Sequence, residues 1–367
     1  MKTNFPNYTN SLVNLAASIE KDFMLDNKHT TLEQIDKVLE HKYKNVILML
    51  FDGMGEYNIN LHLDKNSFLQ KHKIGVITST FPPTTVAATT SVITGLEPSE
   101  TAFIGWTEYF KELDSNVEVF TNYVNKTNSK ANYSISNKYI PFVSITERIK
   151  KDTKSNSEII SPYGTVLSGS LQENIKYIKE YSKKPGRQYL YSYYDDPDHS
   201  MHRLGVNDKE IHKIINEINR EVEKLSNELE DSVIIVISDH GHINCDNLCI
   251  KDYPNIYNLL VREPSIEPRT LSFFVKDGKK EEFKREYLKE FGDISILLSR
   301  EEVFNQKIFG SDSSNPKFRN MIGDFVGIMT TSKTIFNTTK DALYFKGAHA
   351  GLSKEEIEIP LIVIEKK

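Results

Sequence analysis

Cysteine is nearly absent. Cys245 and Cys249 are the two in 367 residues, so no disulfide framework organises the chain and nothing demands an oxidising compartment. A lone C-x-x-x-C is a weak metal signature, and two ordinary thiols are the expectation. Long apolar runs are missing as well: none approaches the roughly 20 residues needed to span a bilayer. The opening stretch, MKTNFPNYTNSLVNLAAS, lacks the continuous apolar centre of a signal peptide. These absences predict a cytoplasmic protein with no membrane contact. An excess of one charge is lacking too, since 46 Lys and Arg face 51 Asp and Glu for a net charge of -5, which disfavours a surface for duplex nucleic acid. What remains is an ordinary globular composition, 38% hydrophobic and 26% charged. The length suits one large domain or a main domain with an insert.

The stretch NVILMLFDGMG at 45–55 reads as a strand buried on both faces that ends in an acid followed by glycines. Asp52 would then stand at the carboxyl end of a central strand, where open parallel sheets bind ligands. Taken alone, Asp52 caps the next helix as readily as it holds a ligand. Before this strand, Leu12, Leu15, Ala16, Ile19 and then Leu32, Ile35, Val38, Leu39 are spaced for two helices outside the sheet. After it, residues 75–79 read as a second strand.

In TFPPTTVAATTSVITG, Pro82 and Pro83 forbid helix, and Thr84 or Thr85 caps a helix over 86–93. A hydroxyl at a helix N-terminus stands where an anion is favoured, although a plain threonine cap is the commoner meaning. Trp106, Tyr109 and Phe110 follow as candidate pocket walls. An amphipathic helix is expected over 170–184. The strand over 188–194 then ends in DDPDHSMH, where Asp198 and His202 are four apart and share a helical face suited to a metal, near Asp195, Asp196 and His199. A helix over 207–230 precedes SVIIVIS at 232–238, and that strand ends in Asp239, His240, Gly241 and His242. Three strands ending in acids or imidazoles point to a site at one edge of the sheet. Farther on, 270–275 and 324–329 read as strands and 280–291 and 300–305 as helices. His349 sits among small residues in GAHAG, before a strand over 361–364.

Taken in order, FDGMG, PPTT with TGLEPSE, PDHSMHRLG, SDHGH and GAHAG resemble the alkaline phosphatase superfamily, within it the nucleotide pyrophosphatase/phosphodiesterase-like branch. The resemblance implies an α/β fold with a central, mostly parallel sheet flanked by helices and a smaller α+β insert or cap. The divisions expected are a core over 1–243, an insert over 244–340, and a return to the core over 341–367. It implies two divalent metal ions, zinc or alternatively manganese. Asp52, Asp239 and His240 would hold one, and Asp198, His202 and His349 the other. Thr85 falls on the nucleophile position, with Thr84 as the adjacent alternative, and Ala88 stands where some relatives carry an asparagine that holds a phosphoryl oxygen. His199 and His242 match no required role. The implied activity is hydrolysis of a phosphodiester or phosphoanhydride, nucleotide-like by preference, through a phosphothreonine intermediate. Its partner would be a small-molecule phosphate ester or nucleotide. A phosphomonoesterase, a phosphomutase, a sulfatase-like enzyme and a non-catalytic binding protein on the same fold are the alternatives.

Overall fold

The structure, a computed structural model, describes residues 4–367. Strand Asn45–Phe51 is buried along its whole length, and its side chains alternate between two cores. Val46, Leu48 and Leu50 meet Leu12, Leu15, Ile19, Ile35 and Val92 on one face. Ile47, Met49 and Phe51 meet the other core, which contains Ile178, Ile211, Ile215, Ile218 and Val222. The helix Lys209–Glu228 supplies much of that second face, as its apolar period requires.

The main sheet has seven strands, in the order Lys73–Thr78, Glu358–Lys366, Ser232–Ile237, Asn45–Phe51, Gln188–Tyr194, Asn156–Ser161 and Val166–Leu167. Only Glu358–Lys366 runs against the rest, so the sheet is the mostly parallel one expected. Register positions the site. Phe51 lies opposite Tyr194 and Leu50 opposite Ile237, so the residues that follow these strands emerge together at one edge.

A second sheet of eight strands, antiparallel throughout, covers that edge. Its order is Ser295–Ser299, Phe325–Met329, Thr270–Phe273, Ser265–Glu267, Thr107–Phe110, Ser115–Glu118, Tyr123–Val124 and Ser129–Lys130. The pair Ile266↔Thr107 joins the earlier strands to the later ones. Among the described residues, no helix is long and apolar enough to cross a membrane.

Candidate active site

Asp52 leaves the central strand into a turn whose geometry depends on glycine. Gly53 has φ +71, and a Cβ there would stand 2.8 Å from the Asp198 Cβ. A Cβ on Gly55 would stand 2.4 Å from the Gly241 Cα. The turns after the three strands therefore pack backbone to backbone, a closeness only glycine permits. Hydrogen bonds bind them: Asp198 N donates to Asp52 O at 3.0 Å, and Gly53 N donates to Asp239 Oδ1 at 3.0 Å. Tyr193, on the neighbouring strand, donates its hydroxyl to Asp52 Oδ2.

Thr85 is the first residue of the helix Thr85–Thr94, and Thr84 is its N-cap. The Thr85 hydroxyl lies 3.3–3.4 Å from the Asp52 carboxylate oxygens and 3.3 Å from His240 Nε2. Thr84 turns elsewhere, donating its hydroxyl to Glu267 Oε1 at 2.6 Å, and the same oxygen accepts Trp106 N at 2.7 Å.

The predicted residues fall into two groups. Asp52, Asp239 and His240 form one, and Asp198, His202 and His349 form the other, which His242 joins. The groups adjoin, with the His240 and His349 rings stacked at 3.8 Å. His202, His240 and His349 each place Nδ1 on a backbone carbonyl, of Gly347, Gly241 and Pro83, at 3.0–3.1 Å. A carbonyl only accepts, so Nδ1 carries a proton and Nε2 is the nitrogen turned toward the site.

The donor spacing suits metal ions. Donors about 2.0–2.2 Å from a shared tetrahedral ion stand about 3.3–3.6 Å apart. His240 Nε2 is 3.3 Å from Asp52 Oδ1 and 3.5 Å from Asp239 Oδ2, while Asp198 is 3.1, 3.2 and 3.7 Å from His242, His202 and His349. Asp198 Oδ1, Asp239 Oδ2 and both His242 ring nitrogens are buried without a hydrogen-bond partner, a cost that ligation would relieve. Electrostatics agrees. Burial, then the charge of Asp198, pushes the Asp52 carboxyl well above its usual range, and burial, then Asp52, does the same to Asp239. Burial opposes ionisation of Asp198 too, but His202 outweighs it and holds that acid well below its usual range. Burial pushes His242 down to about 4 and His349 well below normal. Burial opposes protonation of His202, but Asp198 outweighs it and raises that ring to about 9; a cation at this site would take the place of that proton and neutralise the crowd of acids.

The site opens into a cleft of about 710 Å³ lined also by Trp106, Phe120, Tyr163, Glu267 and Phe345. His199 and Asp195 line this cleft outside both groups. Ala88 is buried in the core beneath the sheet face and offers no polar group. Cys245 and Cys249 are free thiols and belong to neither group. No sequence pattern assigns a role to Tyr193, Glu267 or His242. Only His242 left a signal there, as the second imidazole of DHGH.

The model of the type I phosphodiesterase / nucleotide pyrophosphatase family matches residues 46–351. No curated protein sequence matches the chain. Among solved structures, murine ectonucleotide pyrophosphatase / phosphodiesterase 5 is similar at TM-score 0.68 and 15% identity, over 86% of this chain and 87% of that one. An inactive threonine-to-alanine variant of that protein in complex with AMP aligns at TM-score 0.67 and 16% identity, over 86% and 87%. Phosphonoacetate hydrolase from Sinorhizobium meliloti aligns at 0.60 and 14%, over 86% and 89%.

Proposed function

The chain belongs to the type I phosphodiesterase / nucleotide pyrophosphatase family, in the alkaline phosphatase superfamily, and from that premise we propose that it cleaves a phosphodiester or phosphoanhydride of a nucleotide-like small molecule through Thr85. One observation carries the reading: a threonine hydroxyl on a helix N-terminus, 3.3 Å from His240 Nε2, beside two donor groups spaced for metal ions. Asp52, Asp239 and His240 would hold one ion, and Asp198, His202 and His349 the other, with zinc the first choice and manganese the second. Bound there, the ions would supply positive charge at the attacking and leaving oxygens of an in-line displacement.

The chain's own groups account for the rest. The Thr85 hydroxyl donates toward Asp52, so its proton leaves on that side as the Oγ–P bond forms, the bond from phosphorus to the leaving oxygen breaks, and that oxygen takes up a proton from solvent. The first-turn N–H groups of Thr85–Thr94 face the phosphoryl oxygens in place of the side chain that Ala88 lacks. The oxygen of a water then bonds phosphorus as the Oγ–P bond breaks, the phosphate leaves with its remaining ester, and a proton of that water returns to Thr85 Oγ. The segment 244–340, together with the strands within 107–130 that share its sheet, closes over the cleft as a cap on the core. The free thiols support a reducing, cytoplasmic location.

The test is an assay of zinc- or manganese-loaded protein on bis-p-nitrophenyl phosphate, p-nitrophenyl phosphate and p-nitrophenyl sulfate. Preference for the first is expected, and inactivity on all three with metal bound overturns the reading. Thr85→Ala should bind metal yet lose at least about 10³-fold in turnover; wild-type turnover by that variant removes the covalent route.

A further inference from the structure

We infer that His242 is a fourth protein ligand of the ion assigned to Asp198, His202 and His349, giving that site one carboxylate and three imidazoles. The inference rests on the two-ion reading above and adds a ligand to it. His242 is 0% exposed, and its backbone is fixed on both sides by Asn58, which accepts from His242 N at 3.0 Å and donates to His242 O at 3.1 Å. Strands Ile243–Asn244 and Gly347–Ala348 pair antiparallel with Ile243↔Ala348, and extending that register sets residue 242 opposite 349. Gly347 makes room for the ring, because a Cβ there would stand 2.7 Å from His242 Cε1.

The ring nitrogens decide its role. Neither has a hydrogen-bond partner, and neither does Asp198 Oδ1, although His242 Nε2 lies only 3.1 Å from that oxygen. A close approach without hydrogen-bond alignment is what two ligands of one ion display. His202 and His349, the imidazoles proposed above for this ion, surround the same carboxylate, with ring centroids 4.7 and 5.5 Å from that of His242. Three imidazoles and one carboxylate suit zinc, cobalt(II) or iron(II) above magnesium or calcium, which prefer oxygen shells. Four protein ligands would complete a tetrahedral shell at this ion, whereas Asp52, Asp239 and His240 would supply three to the other.

The experiment titrates cobalt(II) into metal-free full-length protein and follows the visible d–d bands, for wild type, His242→Gln and His242→Asn. Wild type should bind two ions. Each variant should bind one of them about 10- to 100-fold more weakly, and that ion's band should shift in position and intensity as its ligand count falls. An unchanged band overturns the inference, whether affinity is kept or merely weakened; weakening alone would mean that His242 only orients Asp198. Wild type that binds no cobalt would instead overturn the two-ion reading itself. Circular dichroism of the metal-free variants verifies the fold, and the asparagine variant stands in if the glutamine variant misfolds.

Discussion

Glu108 makes folding stability depend on pH. It is fully buried; Oε1 accepts Ile104 N at 2.6 Å and Gly105 N at 3.2 Å, while Oε2 has no partner. Burial pushes this acid up to about 8. A folded-state pKa above the unfolded value means the folded chain keeps a proton the unfolded chain has released, so stability falls as pH rises from about 4.5 to about 8, by at most about 1.4 kcal/mol per pH unit from this group. Below that window the contribution is complete, and above it the decline ends. Glu108→Gln keeps the acceptor and removes the titration, so urea unfolding across that range should give a flatter profile and a more stable variant at pH 8. An unchanged slope would exclude Glu108 as the source. At this scale the site was legible wherever residue type and position after a strand defined the placing, as for Asp52, Asp198 and Asp239. It was not legible for His242, whose placing depends on the register between Ile243–Asn244 and Gly347–Ala348, which no local pattern records.

Among the elements, a buried ion pair braces the end of the loop carrying His349, beside the strand pair Ile243↔Ala348 and the Pro83 carbonyl. Arg269 and Glu356 are both 0% exposed and joined twice, Nε to Oε1 at 2.7 Å and Nη2 to Oε2 at 2.9 Å, and Oε1 also accepts Gly351 N at 2.7 Å. Arg269→Ala would leave Glu356 charged and buried, at a cost of about 3–5 kcal/mol. Thermal unfolding should show that loss, and cobalt affinity at the His349 site should fall with it. The double change Arg269→Met with Glu356→Leu should recover most of the stability but not the loop geometry. The helices Lys209–Glu228 and Lys280–Phe291 and the strand Asn45–Phe51 were legible because each is long enough to express its period. Strands of two residues, such as Tyr123–Val124 and Ser129–Lys130, express none. Their place in the second sheet follows from the distant pair Ile266↔Thr107.

Across the whole molecule, ions at a site assembled from Asp52, Thr85, Asp198, His240 and His349 would link segments far apart in sequence. Ligands that bind only the folded state stabilise it by about 4 kcal/mol at a thousand times Kd. Chelation by EDTA should therefore lower the unfolding temperature by about 5–10 °C, restored by excess zinc; an unchanged temperature would show that no ion bridges these segments. The reversed strand Glu358–Lys366 acts at the same scale, on the order in which the chain folds. It lies between Lys73–Thr78 and Ser232–Ile237, so a slot between those two stays open until the strand latest in sequence arrives. Until then Ser232–Ile237 is a bare edge, apolar after its first residue and free to pair with another molecule instead. Closing the slot pairs this strand with two others that precede it by more than a hundred residues each, a long-range search that makes refolding slow and sensitive to protein concentration.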